Sequence, residues 1–313
     1  MKTQKTVLSN QIEIAGNNIQ YDEQVKKVLS NKIILSWILK YSVEEFKEAS
    51  IDKIITAIEG TPEVSMLSIH PGKMPELIVG MANEDKVPNE GEVRYDIRFT
   101  VYTPAGEHVK LIINIEAQKN YYPGYDLVTR AIFYCARLLS SQIDTEFSLP
   151  DYDGIKKVYS IWICMNAPRY AKNTITAYSI QPENIFGEFQ GKARYDLLSA
   201  VMICLGDFQE EKEDNPLPGM LSVLLSNKMS VSEKEICLHE NFGIEASAEI
   251  KEGLTTMCNL SYGIAEEAKA ESREEIILNC LRSGKTCEQI ADFNGIPLEE
   301  VQNVEKKFLQ MTE

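Results

Sequence analysis

The sequence contains few of the residue patterns that build disulfide frameworks or zinc sites. Its seven cysteines include no C-x-x-C pair, and its three histidines are far apart in the chain. The cysteines mostly lie in apolar segments, which favours reduced core thiols over either kind of site.

Long hydrophobic runs are also missing. The longest apolar candidates, at 33–39 and 158–165, have the length of core segments and fall well short of the ~18 residues of a membrane helix. Residues 1–20 contain neither the apolar region nor the cleavage site of a secretory signal. We therefore expect a soluble, cytoplasmic protein that has no membrane partner.

Positive charge is scarce. The net charge of −15 argues against general, sequence-independent coating of DNA. Most of the negative excess lies in residues 231–313, where 8 basic and 17 acidic side chains give −9. Residues 61–160 carry only −4, so this part of the chain is mildly acidic.

The chain length and composition bound the number of domains. The 313 residues, 44% of them hydrophobic, suffice for one large domain or two moderate ones. An acidic segment with proline and glycine, 206–219, is the best candidate for a boundary. We predict a polar segment at 1–24, an α/β domain at 25–215 and a helical region at 216–313.

Hydrophobic periodicity predicts the elements of the α/β domain. A helix over 28–49, capped by Ser30 or Asn31, precedes a second helix over 51–59. Alternating runs at 92–103 and 109–118 flank the segment PAGEH, which predicts an antiparallel hairpin. The other predicted elements are strands at 75–81, 156–165 and 195–205 and a helix at 125–142. This order predicts an α/β fold, with a mixed central sheet that contains the hairpin, flanking helices and an α-helical C-terminal extension.

The register of the hairpin follows from its apolar alternation and its loop. If PAGEH is closed by a pair between Thr103 and Val109, paired residue numbers sum to 212. Asp96 then lies opposite Glu116, and position 94 lies opposite position 118. A slip of one residue would put the apolar rows on opposite faces, whereas a slip of two would leave the carboxylates as diagonal neighbours.

Two carboxylates in this arrangement have a chemical consequence. Opposed cross-strand residues are about 4.5–5.5 Å apart at Cβ, so Asp96 and Glu116 would repel each other. A hard divalent cation, Mg²⁺ or Mn²⁺, is the usual occupant of such an oxygen-lined site. The alternative is that both are ordinary solvent-face residues, each paired with an arginine such as Arg94 or Arg98.

The ordered segments VRYDIRF, IINIEAQ, YPGYDLVTRAIFYCARLLSSQ and IKKVYSIWIC, preceded by the helix NKIILSWILKYSVEEF, resemble the PD-(D/E)XK nuclease pattern. Within that superfamily the chain is similar to the PD-(D/E)XK nuclease family transposases, close to the recombination-promoting nuclease group. The resemblance covers residues 28–205 and implies a restriction-endonuclease-like core.

The resemblance also implies roles for individual residues of the hairpin. Asp96 and Glu116 would bind Mg²⁺ or Mn²⁺, together with the backbone carbonyl of Ala117. Gln118 stands where the family usually has a lysine that stabilises negative charge. Arg94, opposite Gln118 in the expected register, would then supply the missing positive charge.

Further roles fall on the two helices that flank the hairpin. Glu45, or its neighbour Glu44, would reach metal-bound water from the first helix. Arg130 and Tyr134, one turn apart on the helix at 125–142, would hold a phosphate or stabilise the sheet face.

Residues 274–310 resemble a helix-turn-helix. Thr286 and Gln289 have the spacing of a capping box, glycines at 284 and 295 mark turns, and Pro297 opens the last helix. The start of that helix would present Glu299 and Glu300, which repel phosphate. We therefore favour a helical module that packs on the core or on a partner over one that reads DNA.

These features predict a metal-dependent DNA endonuclease of transposase or recombination type, belonging to a mobile element. The alternative is a catalytically silent module of the same fold that associates with nucleic acid or protein, which Gln118 and the net charge favour. The expected partners are DNA and, through the C-terminal helices, a second copy of the chain or another protein.

Overall fold

The computed structural model describes residues 7–60, 62–64, 84–87, 91–103, 110–207 and 215–312. The strand predicted at 75–81 and the loop PAGEH lie outside the described residues. Within the part that is described, none of the helices combines the length and the apolar character needed to cross a lipid bilayer.

The described residues form helices and strands that alternate through the middle of the chain. The helices are α1 (Val7–Leu29), α2 (Lys32–Ser42), α3 (Ile51–Ala57), α4 (Leu127–Ser140), α5 (Leu217–Leu224), α6 (Val231–Phe242), α7 (Ala248–Arg282), α8 (Cys287–Asn294) and α9 (Leu298–Thr312). Short 3₁₀ turns lie at Glu44–Phe46 and Tyr152–Gly154. The strands are β1 (Glu63–Val64), β2 (Glu84–Val87), β3 (Gly91–Arg94), β4 (Ile97–Tyr102), β5 (Lys110–Asn120), β6 (Lys157–Asn166), β7 (Thr174–Ser179) and β8 (Leu198–Cys204).

Six of the strands form one mixed sheet, which confirms the predicted α/β class. Its order is β1-β4-β5-β6-β8-β7. β5, β6 and β8 run parallel, while β1, β4 and β7 pair antiparallel with their neighbours. The chain passes through α4 between β5 and β6, as parallel neighbours require. β7 was not predicted, because its mostly exposed side chains do not give the apolar alternation of a half-buried strand.

The centre of the sheet is buried, as the apolar sequences of β6 and β8 require. α4 packs on β6 and β8 through its buried stripe, which includes Ala131, Tyr134, Cys135 and Leu138. Asp126 caps this helix by accepting a hydrogen bond from the Val128 amide at 2.8 Å. This packing places the polar residues of α4 next to the carboxyl end of β5.

The register of the hairpin is confirmed over the whole of β4. Ile97 pairs with Ile115 and Tyr102 pairs with Lys110, so paired numbers sum to 212. The apolar alternation of the two strands fixed this parity, because a slip of one residue would expose Phe99 and Ile113.

The strand predicted at 92–103 is interrupted at Tyr95 and Asp96, which belong to neither β3 nor β4. β3 leaves the main sheet and pairs with β2 in a separate two-stranded sheet. Arg94 is therefore opposite Glu84, and its predicted position opposite Gln118 is wrong. The break lets the buried Tyr95 ring enter the core while Asp96 turns back towards β5.

The range predicted as one helix, 28–49, instead contains the end of α1, the whole of α2 and the 3₁₀ turn at Glu44–Phe46. α1 ends at Leu29, and Asn31 starts α2 by accepting a hydrogen bond from the Ile33 amide at 3.0 Å. Residues 7–24 of the predicted polar segment belong to α1, a helix that the sequence did not predict. The second predicted helix is confirmed as α3, and Gly60 follows it in the left-handed region with φ +58°.

The compact units of the chain divide at positions other than the predicted boundary near 215. One unit is Asp22–Cys258, and the other contains the described parts of 1–21 and 259–313. α5 belongs to the first unit because its apolar face, with Leu217, Met220 and Leu221, is fully buried. Asn215 also ties this region to α2, since its amide donates a hydrogen bond of 3.1 Å to the Tyr41 carbonyl.

The helical module predicted at 274–310 is confirmed as the end of α7 with α8 and α9. Thr286 and Gln289 form the predicted capping box, with hydrogen bonds of 3.3 and 3.1 Å in the two directions. Gly295 ends α8 with φ +63°. The three helices bury a small core of their own, made of Ile277, Cys287, Ile290, Ile296, Val301 and Val304.

Replacing either of two glycines of α7 by alanine should change stability, but in opposite directions. A Cβ on Gly253 would overlap Cγ2 of Val28, a buried residue of α1, whereas a Cβ on Gly263 meets no atom within 4 Å. We expect Gly253→Ala to destabilise by about 1–3 kcal/mol through overpacking. Gly263→Ala should stabilise by roughly 0.5–1 kcal/mol, because alanine favours a helix interior.

Thermal unfolding of the two variants beside the unmutated protein measures both effects. An unfolding temperature that rises for Gly253→Ala would contradict the close approach of α1 and α7 at this point.

Candidate metal centre

Asp96 and Glu116 contact each other across the break in the hairpin. The Asp96 backbone amide donates a hydrogen bond to Oε1 of Glu116 at 3.1 Å. The Ala117 amide donates in return to Oδ2 of Asp96 at 3.0 Å. The two residues therefore lie opposite each other as the register predicted, although the strand ladder itself starts at Ile97.

Glu116 lies in a buried polar network on the α4 side of the sheet. Asn114, two residues earlier on the same strand face, favours the ionised form of the Glu116 carboxyl group and so lowers its pKa slightly. The Asn114 amide group also donates to Oγ of Ser160 at 3.1 Å, and Nε1 of Trp162 donates to the same oxygen at 2.9 Å. Glu116 is only 4% exposed, so the network replaces water around a carboxyl group.

Burial determines the ionisation of both carboxyl groups. The pKa of Glu116 is well above its usual range, because burial and then the nearby charge of Asp96 oppose ionisation. Burial also raises the pKa of Asp96, although Lys26 and the Ala117 amide offset part of that effect. Burial thus makes both groups harder to ionise than in water, and a bound cation would favour their ionised forms.

Lys26 of α1 is a residue of this site that the sequence analysis missed. Its ammonium group lies 2.9 Å from Oδ1 of Asp96 and 2.7 Å from Oδ2 of Asp22. The lysine side chain is 8% exposed. Burial alone would lower the pKa of Lys26, but the two carboxylates outweigh burial and raise it, so the side chain stays charged.

Arg130 supplies a second positive charge, on the other side of the pair. Its guanidinium donates to the hydroxyl of Tyr134 at 2.6 Å and to that of Tyr125 at 2.8 Å, and it lies 5.2 Å from the Trp162 ring centre. Its positive charge favours the ionised form of Glu116 and so offsets part of the rise in the pKa of that residue. The structure therefore brings Arg130 and Tyr134 to the face that carries Glu116.

Gln118 follows Glu116 on the same face of β5 and is partly exposed. In the sheet it pairs with Cys164 of β6, at the carboxyl ends of both strands. Ala117, between the two polar residues, is also partly exposed. The expected positions of Gln118 and Ala117 beside the carboxylate pair are thus compatible with the backbone.

Glu45 lies away from the carboxylate pair, so its predicted role at metal-bound water is wrong. Its carboxylate accepts hydrogen bonds from Nζ of Lys157 at 2.8 Å and from the Tyr159 hydroxyl at 2.6 Å. Those partners are at the start of β6, whereas Glu116 is level with Trp162. At ~3.3 Å per residue the separation along the strand is roughly 10–16 Å. Glu44, the alternative, pairs with Lys47 on the surface.

The donor chemistry of the pair fits a hard divalent cation that keeps most of its water. Asp96 and Glu116 offer carboxylate oxygens, and Oδ1 of the buried Asn114 has no hydrogen-bond partner among the described residues. Within those residues there is no cluster of three or more His, Cys, Asp or Glu side chains that could hold a metal. An ion such as Mg²⁺ needs only one or two protein carboxylates, because water and substrate phosphate complete its coordination.

The raised pKa of Glu116 predicts that this residue weakens the fold at neutral pH. Below its usual value of 4.5 the carboxyl group is protonated in the folded and unfolded chain alike. As the pH rises above that value the unfolded chain ionises first, so the free energy of unfolding falls. We expect Glu116→Gln to raise that free energy at pH 7 by roughly 1–3 kcal/mol, the usual penalty of a poorly compensated buried polar group.

Urea unfolding at pH 4 and pH 7 measures this effect, and the gain should nearly vanish at pH 4. Glu188→Gln, in an exposed loop, is the matched control and should leave stability unchanged at both pH values. A Glu116→Gln protein that is less stable than the unmutated chain at pH 7 would contradict the assignment.

Comparison with known proteins adds no assignment to this geometry. No family model matches the chain, and no curated protein or solved structure is significantly similar to it. The resemblance to PD-(D/E)XK nucleases therefore stays a prediction from the sequence, and the functional argument depends on the chemistry of the site.

Proposed function

We propose that this chain has a PD-(D/E)XK-like core and acts as a Mg²⁺- or Mn²⁺-dependent DNA endonuclease of transposase or recombination type. The observation that carries the proposal is the placement of two carboxylates at a break in the sheet, where the Asp96 amide donates to Glu116 and the Ala117 amide donates to Asp96. A fold retains such a repulsive, destabilising pair where a ligand needs it.

The cation would be held by Asp96 and Glu116, with the Ala117 carbonyl as the further ligand that the resemblance implies. When bound, it supplies an acidified water and neutralises charge on the phosphate. The protein contributes the position of both carboxylates, which the amides of Asp96 and Ala117 fix by hydrogen bonds. Because these donors belong to the backbone, the geometry survives side-chain motion nearby.

Residues of α4 and β5 would orient the substrate. Arg130 and Tyr134 present a guanidinium and a hydroxyl next to Glu116, and this pair matches the oxygens of a phosphodiester. Gln118 is able to orient a water molecule through its amide but brings no charge. The role of the usual lysine beside the scissile phosphate must then be taken by a charged residue other than Gln118.

The acidic C-terminal helices are poor candidates for the DNA-binding surface. Residues 231–313 carry −9, and Glu299 and Glu300 occupy the first turn of α9. The α8–α9 module buries its apolar residues in its own core. It would therefore serve contacts with protein, either a second copy of the chain or another partner.

A catalytically silent module of the same fold is the second candidate. The specific observation in its favour is that Oδ1 of Asp96 is already occupied by the ammonium of Lys26. Gln118 at the position of the usual lysine also supports this second candidate. Such a protein would keep the fold and its association with nucleic acid or protein, and would not turn over a substrate.

Nicking of supercoiled plasmid in the presence of Mg²⁺ separates the two candidates. We expect the unmutated protein to nick the plasmid and Asp96→Asn to be slower by at least ~100-fold, since a ligand of the stabilising cation is lost. Glu45→Gln should keep full activity, because that residue pairs with Lys157 and Tyr159.

Calorimetric titration with Mn²⁺ gives the second readout. The binding signal should disappear in Asp96→Asn and persist in Glu45→Gln. Mn²⁺ binding without any nicking would favour the silent module. Unchanged binding in a folded Asp96→Asn protein would exclude the proposed site.

A further inference from the structure

We propose that Lys26 supplies the positive charge of the Asp96–Glu116 site and contacts the substrate phosphate, with Asp22 as its positioning residue. This inference rests on the proposed function and assigns the role that Gln118 lacks to a helix residue 70 positions before Asp96 in the chain. The residue expected for this role from the sequence, Arg94, is opposite Glu84 in a different sheet.

The placement of Lys26 carries the inference. Its ammonium lies 2.9 Å from a carboxylate oxygen of Asp96, so it is adjacent to any cation that Asp96 binds. The side chain is almost fully buried, and α1 holds it between Val25 and Val28, which are 0% and 3% exposed. Confinement of this kind orients a lysine, whose flexible stem otherwise leaves the charge poorly placed.

Asp22 gives the ammonium a second anchor. It lies one helical turn before Lys26, at 2.7 Å from the same nitrogen, and its side chain is 40% exposed. If a divalent cation binds Asp96 in place of Lys26, the lysine keeps its ion pair with Asp22 and stays beside the site. A lysine with Asp96 as its single partner would lose its counter-ion at that moment. The pair of anchors thus allows one ammonium to neutralise Asp96 before the cation binds and to face phosphate afterwards.

Arg130 does not fill the same role. Its guanidinium is committed to the hydroxyls of Tyr125 and Tyr134 and lies over the Trp162 ring. It stands on the Glu116 side of the pair, whereas Lys26 contacts Asp96. Of these two cations, Lys26 is the one whose charged group contacts a carboxylate oxygen that the metal would use.

Two substitutions distinguish the two-anchor arrangement from a general loss of structure. Lys26→Met removes a charge that competes for Asp96, so Mn²⁺ should bind about fivefold to tenfold more tightly. Asp22→Asn leaves Lys26 with Asp96 as its main partner, so Mn²⁺ should bind more weakly by a similar factor. Loss of structure alone would weaken binding in both variants.

The rate of plasmid nicking at saturating Mn²⁺ completes the experiment. Lys26→Met should slow single-turnover nicking by roughly 100-fold, the scale of one lost electrostatic stabiliser. Lys26→Arg should retain part of the rate, because it keeps the charge. Lys27→Met, the exposed neighbour on α1, is the matched control and should match the unmutated protein in both readouts.

Three results would overturn the inference, and they differ from failure of the proposed function. One is nicking by Lys26→Met at the unmutated rate. Another is weaker Mn²⁺ binding in both Lys26→Met and Asp22→Asn. If Lys26→Met does not fold, tighter or unchanged Mn²⁺ binding by the partly exposed Asp22→Asn variant contradicts the two-anchor arrangement. Absence of nicking and of Mn²⁺ binding in the unmutated protein would instead refute the proposed function, and this inference with it.

Discussion

The buried carboxyl group of Glu116, near the end of the central strand β5, determines which groups must surround it. A buried carboxylate without partners would cost several kcal/mol, so the surrounding chain must provide donors or positive charge. The Asp96 amide donates a hydrogen bond to this carboxyl group, and Arg130 of α4 and Asn114 both favour its ionised form. The Asp96 amide is available for this purpose because β3 ends two residues earlier, at Arg94, and the pairing of β4 with β5 begins at Ile97. The interruption of the hairpin is thus part of the site.

The same interruption explains why two negative side chains meet. As Asp96 turns towards β5, its carboxylate accepts the Ala117 amide and approaches Glu116. Lys26 neutralises Asp96 from α1, and Arg130 acts on Glu116 from α4. The two cations come from helices on either side of the hairpin in sequence, so the site requires the folded domain. If the pair binds a cation as we propose, the protein gives up some stability for that binding, as proteins often do at functional sites.

The sequence predicted the parts of this arrangement that follow from local patterns. The alternation around Phe99 and Ile113 has only one parity that buries both rows, so the register and the opposition of Asp96 and Glu116 could be predicted. The Thr286 capping box is likewise local, since its two residues are three positions apart. Arg94 was misplaced because an apolar row gives no sign that a strand changes partners at Tyr95.

Other features depend on contacts between distant residues, which one sequence does not reveal. The pair of Lys26 with Asp22 is visible as a spacing of four residues on a helix, but its approach to Asp96 is not. Glu45 was chosen by its place in a helix, whereas Lys157 and Tyr159 bind it at the opposite end of β6. The predicted boundary near 215 was based on the composition of the acidic segment, which gives no information about the helix that follows. The apolar face of that helix, α5, is buried in the sheet-containing unit.

Anomalous diffraction from crystals of the full chain soaked in Mn²⁺ tests the central claim most directly, because the scattering locates the ion without assuming its ligands. We expect one strong peak within coordination distance of carboxylate oxygens from both Asp96 and Glu116. We also expect that the Lys26 ammonium has left Oδ1 of Asp96 while remaining paired with Asp22. A fully occupied peak elsewhere, with the Lys26–Asp96 ion pair intact, would contradict the proposed metal site.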